Sequence, residues 1–109
     1  MTITIGVDLG GTKCLGVVID DGGAVVDEIR VPTPRGNDAV VDVLGDVAAG
    51  LLERRPAGEV VGIGVGAPGL VDDDGVLRYA PNLPGVAELA LAAPLAARLG
   101  VPVVVENDA

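Results

Sequence analysis

The feature that most constrains the fold is a change in the spacing of apolar residues partway along the chain. Before it lie three apolar runs rich in valine and isoleucine, at Thr2–Leu9, Cys14–Asp20 and Ala24–Val31. The turns between them, GGTK and DDGG, contain the glycine and aspartate residues that favour tight turns. Runs of this length joined by such turns predict three consecutive antiparallel strands.

After Pro32 and Pro34, apolar residues recur at intervals of three and four, which is the spacing of an amphipathic helix. From there on, helix-like and strand-like segments alternate. The predicted elements are a helix capped by Asn37 or Asp38 and running to about Arg55, a strand at Val60–Gly66, a loop or small hairpin at Gly69–Asn82 around Asp74-Gly75, a helix at Val86–Leu99 that Pro94 would kink or split, and a strand at Val101–Val105.

These elements predict an α/β fold, with a five-stranded mixed sheet in an order near 3-2-1-4-5 and flanking helices. The first three strands pair antiparallel because their turns are tight. Helices between the third, fourth and fifth strands imply right-handed crossovers and parallel pairing. The length of 109 residues suits one domain. A helix normally covers the sheet after such a fifth strand, and the chain stops at Ala109, so we expect a fragment of a longer protein.

The charge and composition argue against several kinds of partner. The net charge is −9 and histidine is absent, which disfavours nucleic-acid binding and histidine chemistry within these residues. The single cysteine, Cys14, cannot form an internal disulfide, which fits a reducing compartment. No basic leader precedes the first strand, and no apolar run reaches the ~20 residues that a membrane span needs. We therefore expect a cytoplasmic protein with neither a nucleic-acid nor a membrane partner.

Three patterns are similar to known ligand sites but lack the context those sites need. Residues 6–13 read G-x-x-x-x-G-T-K, yet threonine precedes lysine, and a strand-like run follows where a P-loop would open a helix. Residues 64–69 read G-x-G-x-x-G, but Pro68 and the acidic stretch after it disfavour the helix that a dinucleotide site requires. Residues 72–75 lack the alternating spacing of a calcium loop and indicate a solvated turn.

The turn after the first strand, DLGGTK, has the residue types of an anion site. Gly10 and Gly11 allow a sharp turn whose N–H groups can face an anion, and Thr12 and Lys13 add a hydroxyl and a positive charge. Asp8, at the end of the strand, could hold Mg²⁺ through water. The simpler interpretation is a tight hairpin, but a plain hairpin does not need an acid, a hydroxyl and a lysine together.

Two loops could admit a ligand. In GAPG, the small residues and rigid proline at Gly66, Pro68 and Gly69 would let a ligand approach the backbone closely, although ordinary turn chemistry explains them equally well. In YAPNLPG, Asn82 lies between Pro81 and Pro84, and its amide can both donate to and accept from sugar hydroxyls. An ordinary turn asparagine is the alternative there.

The fifth strand is followed by two polar residues, Asn107 and Asp108, after the acidic Glu106. In open α/β sheets, ligands bind beyond the carboxyl ends of the strands, near the point where the strand order switches. The ends of strands one, four and five should therefore place Asp8, GAPG and Asn107-Asp108 around one cleft. Asp108 could then be a general base, whereas a helix N-cap is the alternative role for either residue.

Taken together, VDLGGTK, GIGVGAPGLVD, APNLPG and VVVENDA resemble the motifs of the ROK family of sugar kinases and repressors, in the same order and over essentially the whole chain. That family belongs to the actin-like, ribonuclease-H-like ATPase superfamily, and the resemblance is strongest to its bacterial glucokinase branch. It implies that the first motif binds the phosphates of ATP, through Asp8, Gly10, Gly11, Thr12 and Lys13.

The resemblance also implies that Asn82 and Asn107 contact sugar hydroxyls and that Asp108 is the catalytic base. Asp108 would take the proton from the sugar 6-hydroxyl as that oxygen attacks the γ-phosphate, with Mg²⁺ and the glycine turn offsetting the charge. The expected ligands are therefore ATP, Mg²⁺ and a sugar. The full-length protein is expected to form a homo-oligomer.

Two departures from the family pattern bear on these expectations. Many relatives have an aromatic residue after PNLPG where this chain has Val86, which leaves the sugar open. The second lobe of family kinases, which supplies the adenosine pocket and often a zinc site, is missing from residues 1–109. We therefore expect an N-terminal lobe that is inactive alone. A ROK-type repressor, a kinase for another hexose, an actin-like structural or chaperone ATPase, and polyphosphate as the donor are the alternatives.

Overall fold

A computed structural model describes residues 2–56 and 58–108. Three strands precede the first helix, and one strand follows the last. In chain order the elements are β1 (Ile3–Leu9), β2 (Lys13–Ile19), β3 (Val25–Pro32), α1 (Asn37–Glu53), β4 (Val60–Ala67), β5 (Leu70–Val71), β6 (Val76–Tyr79), β7 (Ala87–Ala90), α2 (Ala92–Leu99) and β8 (Val103–Asn107).

The main sheet has the order β3-β2-β1-β4-β8, and this confirms the predicted order with β8 as the fifth strand of that sheet. β2 pairs antiparallel with both β1 and β3, whereas β4 pairs parallel with β1 and β8. Asp8 is opposite Gly66, and Ala67 is opposite Asn107. The carboxyl ends of β1, β4 and β8 therefore lie at the same edge of the sheet.

One face of the main sheet forms the core with α1 and α2. Alternate residues of β1 point to this face and are buried, as are the apolar residues that recur at intervals of three and four in α1. On the opposite face, β1 and β4 carry small or polar residues that are at least partly exposed, beside the apolar Leu15 and Val17 of β2. This face includes Thr4, Gly6 and Asp8 of β1 and Gly62, Gly64 and Gly66 of β4.

A second sheet, β5-β6-β7, forms a separate small layer. Its first hairpin is the one predicted around Asp74-Gly75. The Asp72 carboxylate accepts the N–H groups of Asp74 and Val76 and pairs with Arg78, which explains the acidic turn without a metal ion. Hydrogen bonds from those N–H groups and from Arg78 hold the pKa of Asp72 below its usual value.

The predicted helix at Val86–Leu99 is wrong in its first half. Ala87–Ala90 is the strand β7, paired antiparallel with β6, and the helix α2 begins only at Ala92. The N–H groups of Leu91 and Ala92 both reach the carbonyl of Gly75. Pro94 lies in the first turn of α2, where a helix has no use for its missing N–H, so it marks the start of the helix and does not kink it.

Two predicted boundaries also need correction. The fifth strand of the main sheet runs from Val103 to Asn107, two residues later than predicted, because its pairing with β4 continues through Asn107. The N-cap of α1 is Gly36, without a side-chain cap, and the Asn37 amide reaches Ala87 instead. Among the described residues, neither helix is long and apolar enough to cross a membrane.

The packing of α1 on β2 yields a stability prediction. A Cβ atom on Gly16 would lie 2.4 Å from Cγ1 of Val47 and 2.9 Å from Cδ1 of Leu51, so Gly16→Ala should force the helix away from the sheet. We expect the free energy of unfolding to fall by about 1–3 kcal/mol in urea denaturation of the 109-residue chain. Gly64→Ala is the matched control, because its Cβ would meet no described atom within 4 Å, and equal losses in both variants would contradict this packing.

Candidate functional site

The β1–β2 turn at residues 10–13 is tight and is braced from outside. The Gly10 N–H donates to the Lys13 carbonyl over 3.0 Å, and a Cβ on Gly10 would lie 2.8 Å from that oxygen. Thr33 braces the turn by donating its N–H to Thr12 and its hydroxyl to Gly10, over 3.0 and 2.7 Å. Gly11, Thr12 and Lys13 are exposed, whereas the Gly10 N–H, which was expected to face an anion, is bound to the Lys13 carbonyl.

The GAPG segment at the end of β4 is held by its neighbours on two sides. The Asp108 N–H donates to the Ala67 carbonyl over 3.1 Å, and the Asn107 side-chain amide donates to the Gly69 carbonyl. Gly69 has φ of 157°, and a Cβ there would lie 2.0 Å from the Tyr79 carbonyl oxygen. GAPG is therefore fixed between the end of β8 and the segment that leads to Asn82, and position 69 has no room for a side chain.

The Asn82 loop packs against the β1–β2 turn. Asn82 is exposed, but Leu83 and Val86 beside it are buried and hold the loop on the core. The backbone oxygen of Asn82 lies 3.1 Å from the position that a Cβ on Gly11 would occupy. Val86, which replaces the aromatic residue expected after PNLPG, therefore serves as an apolar anchor of this loop.

Asp8 and Asp108 lie next to one another beside Gly66, and their carboxyl groups interact. A Cβ on Gly66 would lie 3.2 Å from Cβ of Asp108 and 3.8 Å from Oδ1 of Asp8, so a side chain at position 66 would crowd Asp108. Partial burial raises the pKa of Asp8, and the hydrogen bond and negative charge of Asp108 raise it further. Two carboxylates are thus brought together at the end of the parallel strands.

This carboxylate pair fits a magnesium ion. Mg²⁺ prefers oxygen ligands and keeps several waters, so one or two carboxylates are enough to hold it. A cation would also relieve the repulsion between Asp8 and Asp108 that contributes to the raised pKa of Asp8. Among residues 2–56 and 58–108, no group of three or more His, Cys, Asp or Glu side chains that could hold a metal ion occurs.

The structure brings most of the predicted site residues together at one edge of the sheet. A shallow depression lined by Gly64, Gly66, Val104, Glu106, Asn107 and Asp108 lies at the ends of β4 and β8. Asp8 adjoins it through Asp108, and Gly11 adjoins the Asn82 loop. The phosphate-type turn, GAPG, Asn82 and the Asn107-Asp108 pair are therefore neighbours.

Sequence reasoning missed two residues that contact this region, Thr33 and Asn37. Thr33 stands between two prolines at the end of β3, and the antiparallel pairing of β3 with β2 places it beside the β1–β2 turn. Asn37 was predicted only as a possible helix cap, but its amide binds the backbone of Ala87, 50 residues away. A polar residue between prolines was the available signal for Thr33, whereas nothing local to Asn37 indicates its distant partner.

The sequence is similar to that of a known family. The model of the ROK family matches residues 4–109. The chain belongs to the ROK family. It is 41% identical over 110 residues to a glucokinase of Streptomyces coelicolor and 42% identical over 105 residues to an N-acetyl-D-glucosamine kinase of Escherichia coli. The alignments cover 100% and 95% of this chain but only 33% and 34% of those proteins.

Solved structures of ROK proteins share this fold. A ROK family glucokinase from Streptomyces griseus, in complex with glucose and AMPPNP, superposes with a TM-score of 0.87 at 39% identity, covering 98% of this chain and 33% of that one. The actin-like ATPase fold expected from the motifs is thereby confirmed. The chain spans about a third of the length of the ROK relatives it matches.

The Asp8–Asp108 pair gives a pH-dependent stability prediction. In the unfolded chain Asp8 ionises near pH ~3.9, but its pKa is higher in the folded state, so the ionised pair costs stability above that raised pKa. We expect Asp8→Asn to raise the free energy of unfolding at pH 7 and to lose this advantage as the pH falls towards ~4, in urea denaturation at both pH values.

The control for this prediction is Asp21→Asn, which removes the same charge at the exposed β2–β3 turn. An equal gain in Asp21→Asn at pH 7 would assign the effect to net charge alone. A loss of stability in Asp8→Asn at pH 7 would contradict the repulsion between the two carboxylates.

Proposed function

We propose that this chain is the N-terminal lobe of a two-lobe sugar kinase, which transfers the γ-phosphate of ATP to the 6-hydroxyl of glucose. The observation that carries the proposal is the meeting of the Asp8–Asp108 pair, the β1–β2 turn and the Asn82 loop at one edge of the sheet. The 41% sequence identity to a glucokinase, over 100% of this chain, supports glucose as the first substrate to test. The second lobe would supply the rest of the cleft.

In this proposal the β1–β2 turn holds the phosphates of ATP. The Gly11 N–H, the Thr12 hydroxyl and the Lys13 ammonium are donors suited to phosphate oxygens, while the Gly10 N–H closes the turn on the Lys13 carbonyl. Asp8 would hold Mg²⁺ through water, with Asp108 beside it. The ion, when bound, would offset the negative charge of the phosphates.

The sugar would lie between the Asn82 loop and the end of β8. Asn82 and Asn107 would bind its hydroxyls, and the small residues of GAPG (Gly66, Pro68 and Gly69) would let the ring approach the backbone. The Asn107 amide is already oriented by its bond to Gly69. Because the Asn107 side chain is already held, binding of the sugar costs less side-chain entropy and the reacting hydroxyl is oriented.

Asp108 would act as the general base. It accepts the proton of the sugar 6-hydroxyl as a bond forms between that oxygen and the γ-phosphorus, while the bond from the γ-phosphorus to the bridging oxygen breaks and ADP leaves. The position of Asp108 is fixed by its N–H bond to Ala67. Its exposure at the end of β8 leaves the carboxylate accessible to a substrate.

The sharpest test of this role is Asp108→Asn in the full-length protein, with ATP-dependent phosphorylation of glucose as the readout. We expect kcat to fall about 10²–10⁴-fold, the usual contribution of a general base, with a small change in the KM for glucose. Asp21→Asn, at an exposed turn, is the control and should leave both parameters within about twofold. Turnover of Asp108→Asn within a few-fold of the parent would overturn the assignment of the base.

The identity of the sugar and of the donor is tested separately. The chain is as similar to an N-acetyl-D-glucosamine kinase as to a glucokinase, so glucose, N-acetylglucosamine, N-acetylmannosamine and fructose should be compared with ATP and with polyphosphate. We expect the highest kcat/KM with glucose and ATP. The 109-residue chain should show no turnover, since it lacks the second lobe, and turnover by this chain alone would contradict the two-lobe proposal.

A further inference from the structure

Residues 33–37 comprise the four-residue connection between β3 and α1 and the first residue of α1, and they contact both of the segments that the proposed function assigns to ligands. At one end Thr33 binds the β1–β2 turn, and at the other end Gly36 and Asn37 bind the segment that follows Asn82. The spacing is short, because only three residues separate Thr33 from Asn37. This connection therefore links two loops that are distant in sequence.

At the Thr33 end, two carbonyls of the turn are engaged. The Thr33 hydroxyl donates to the Gly10 carbonyl over 2.7 Å, and the Thr33 N–H donates to the Thr12 carbonyl over 3.0 Å. In a planar trans peptide the carbonyl and the next N–H point in opposite directions. Fixing the Gly10 carbonyl on Thr33 therefore turns the Gly11 N–H away from Thr33, and this N–H is one of the donors that a phosphate would meet.

At the other end, three hydrogen bonds hold the segment after Asn82. The Asn37 amide donates to the Ala87 carbonyl over 2.9 Å and accepts the Ala87 N–H over 3.1 Å, while the Gly36 N–H donates to the Pro84 carbonyl over 3.1 Å. Gly36 and Gly85 have φ of 90° and 76° and pack closely, since a Cβ on Gly85 would lie 3.3 Å from the Gly36 backbone. The Asn37 side chain thus forms its hydrogen bonds with this loop, and α1 begins without a side-chain cap.

We propose that residues 33–37 position the two ligand segments relative to one another, with Thr33 orienting the phosphate-binding turn and Asn37 orienting the Asn82 loop. The inference rests on the proposed function for the identity of the ligands. The backbone oxygen of Asn82 lies 3.1 Å from the position that a Cβ on Gly11 would occupy, so the two segments are neighbours and a shift of either would change the distance between sugar and phosphate. Thr33 and Asn37 are positioning residues, because they act through the turn and the loop.

The proposal predicts that each end affects a different ligand in the full-length protein. Thr33→Val keeps the shape and the backbone N–H of Thr33 but removes the hydroxyl, and it should raise the KM for ATP about fivefold, the effect of one neutral hydrogen bond. The KM for glucose should stay within about twofold. Thr33→Ser, which keeps the hydroxyl, should restore the KM for ATP to within about twofold of the parent.

Asn37→Ala should have the converse effect. It removes two hydrogen bonds to Ala87 and should raise the KM for glucose about tenfold, with the KM for ATP within about twofold. Asp38→Ala is the matched control, because Asp38 is the next residue of α1, is exposed and makes no side-chain hydrogen bond to residues 82–87 in the described part of the chain. Both KM values should be unchanged in that variant.

Amide hydrogen exchange tests the positioning without relying on catalysis. In the full-length protein, Asn37→Ala should speed amide exchange at Ala87 and at the non-proline residues of 82–86, whereas Thr33→Val and Asp38→Ala should leave these rates unchanged. Unchanged exchange in Asn37→Ala, an equal rise of both KM values in either variant, or a failure of Thr33→Ser to restore the KM for ATP would overturn the positioning role. If the parent protein phosphorylates no sugar, the proposed function is refuted. Faster exchange in Asn37→Ala than in that parent would still support Asn37 as the residue that holds the loop.

Discussion

Parallel pairing of β1, β4 and β8 is the constraint on which the rest of the site depends. Because Asp8 is opposite Gly66 and Ala67 is opposite Asn107, the carboxyl ends of three strands stop at one edge of the sheet. Asp8 and Asp108 could not otherwise approach, since they are 100 residues apart in sequence. Gly66 lies beside both acids, and a Cβ there would be only 3.2 Å from Cβ of Asp108.

The proximity of Asp8 and Asp108 destabilises the ionised form of Asp8. The raised pKa of Asp8 shows that its carboxylate is less stable in the folded protein than in water. Raised carboxyl pKa values of this kind are frequent at ligand-binding sites, where a bound cation or ligand can stabilise the ionised form. Elsewhere the charged residues are arranged differently: Arg78 lies between Asp72 and Glu88, and Arg98 pairs with Asp46 across the two helices. These exposed pairs contribute little to stability.

Much of the fold could be predicted because turn residues and the spacing of apolar residues along the chain indicate its strands and helices. The tight turns at GGTK and DDGG predict the antiparallel half of the sheet, and α1 between two strands predicts a parallel crossover. The error at Val86–Leu99 arose because Val86 and Leu89 are three residues apart, as in a helix, although β7 pairs there with β6. Leu91, Leu95 and Leu99 recur at intervals of four, and they are the N-cap and two residues of α2.

The site was predictable where its residues lie at strand ends and less so where they act across the chain. Asp8 lies near the end of β1 and Asp108 follows β8, so the topology alone places them near one another. Thr33 and Asn37 have partners 23 and 50 residues away, and no periodicity or motif encodes such contacts. Such long-range bonds depend on how the β3–α1 connection packs, and that is settled only by the tertiary structure.

The measurement that tests the central claim most directly is a crystal structure of the full-length protein with glucose and a non-hydrolysable ATP analogue. If the strand ends form one catalytic edge, the glucose 6-hydroxyl should lie about 2.6–3.2 Å from the Asp108 carboxylate, with the terminal phosphate against residues 10–13. Glucose bound away from Asn82 and Asp108, or phosphates that do not touch the β1–β2 turn, would contradict the account.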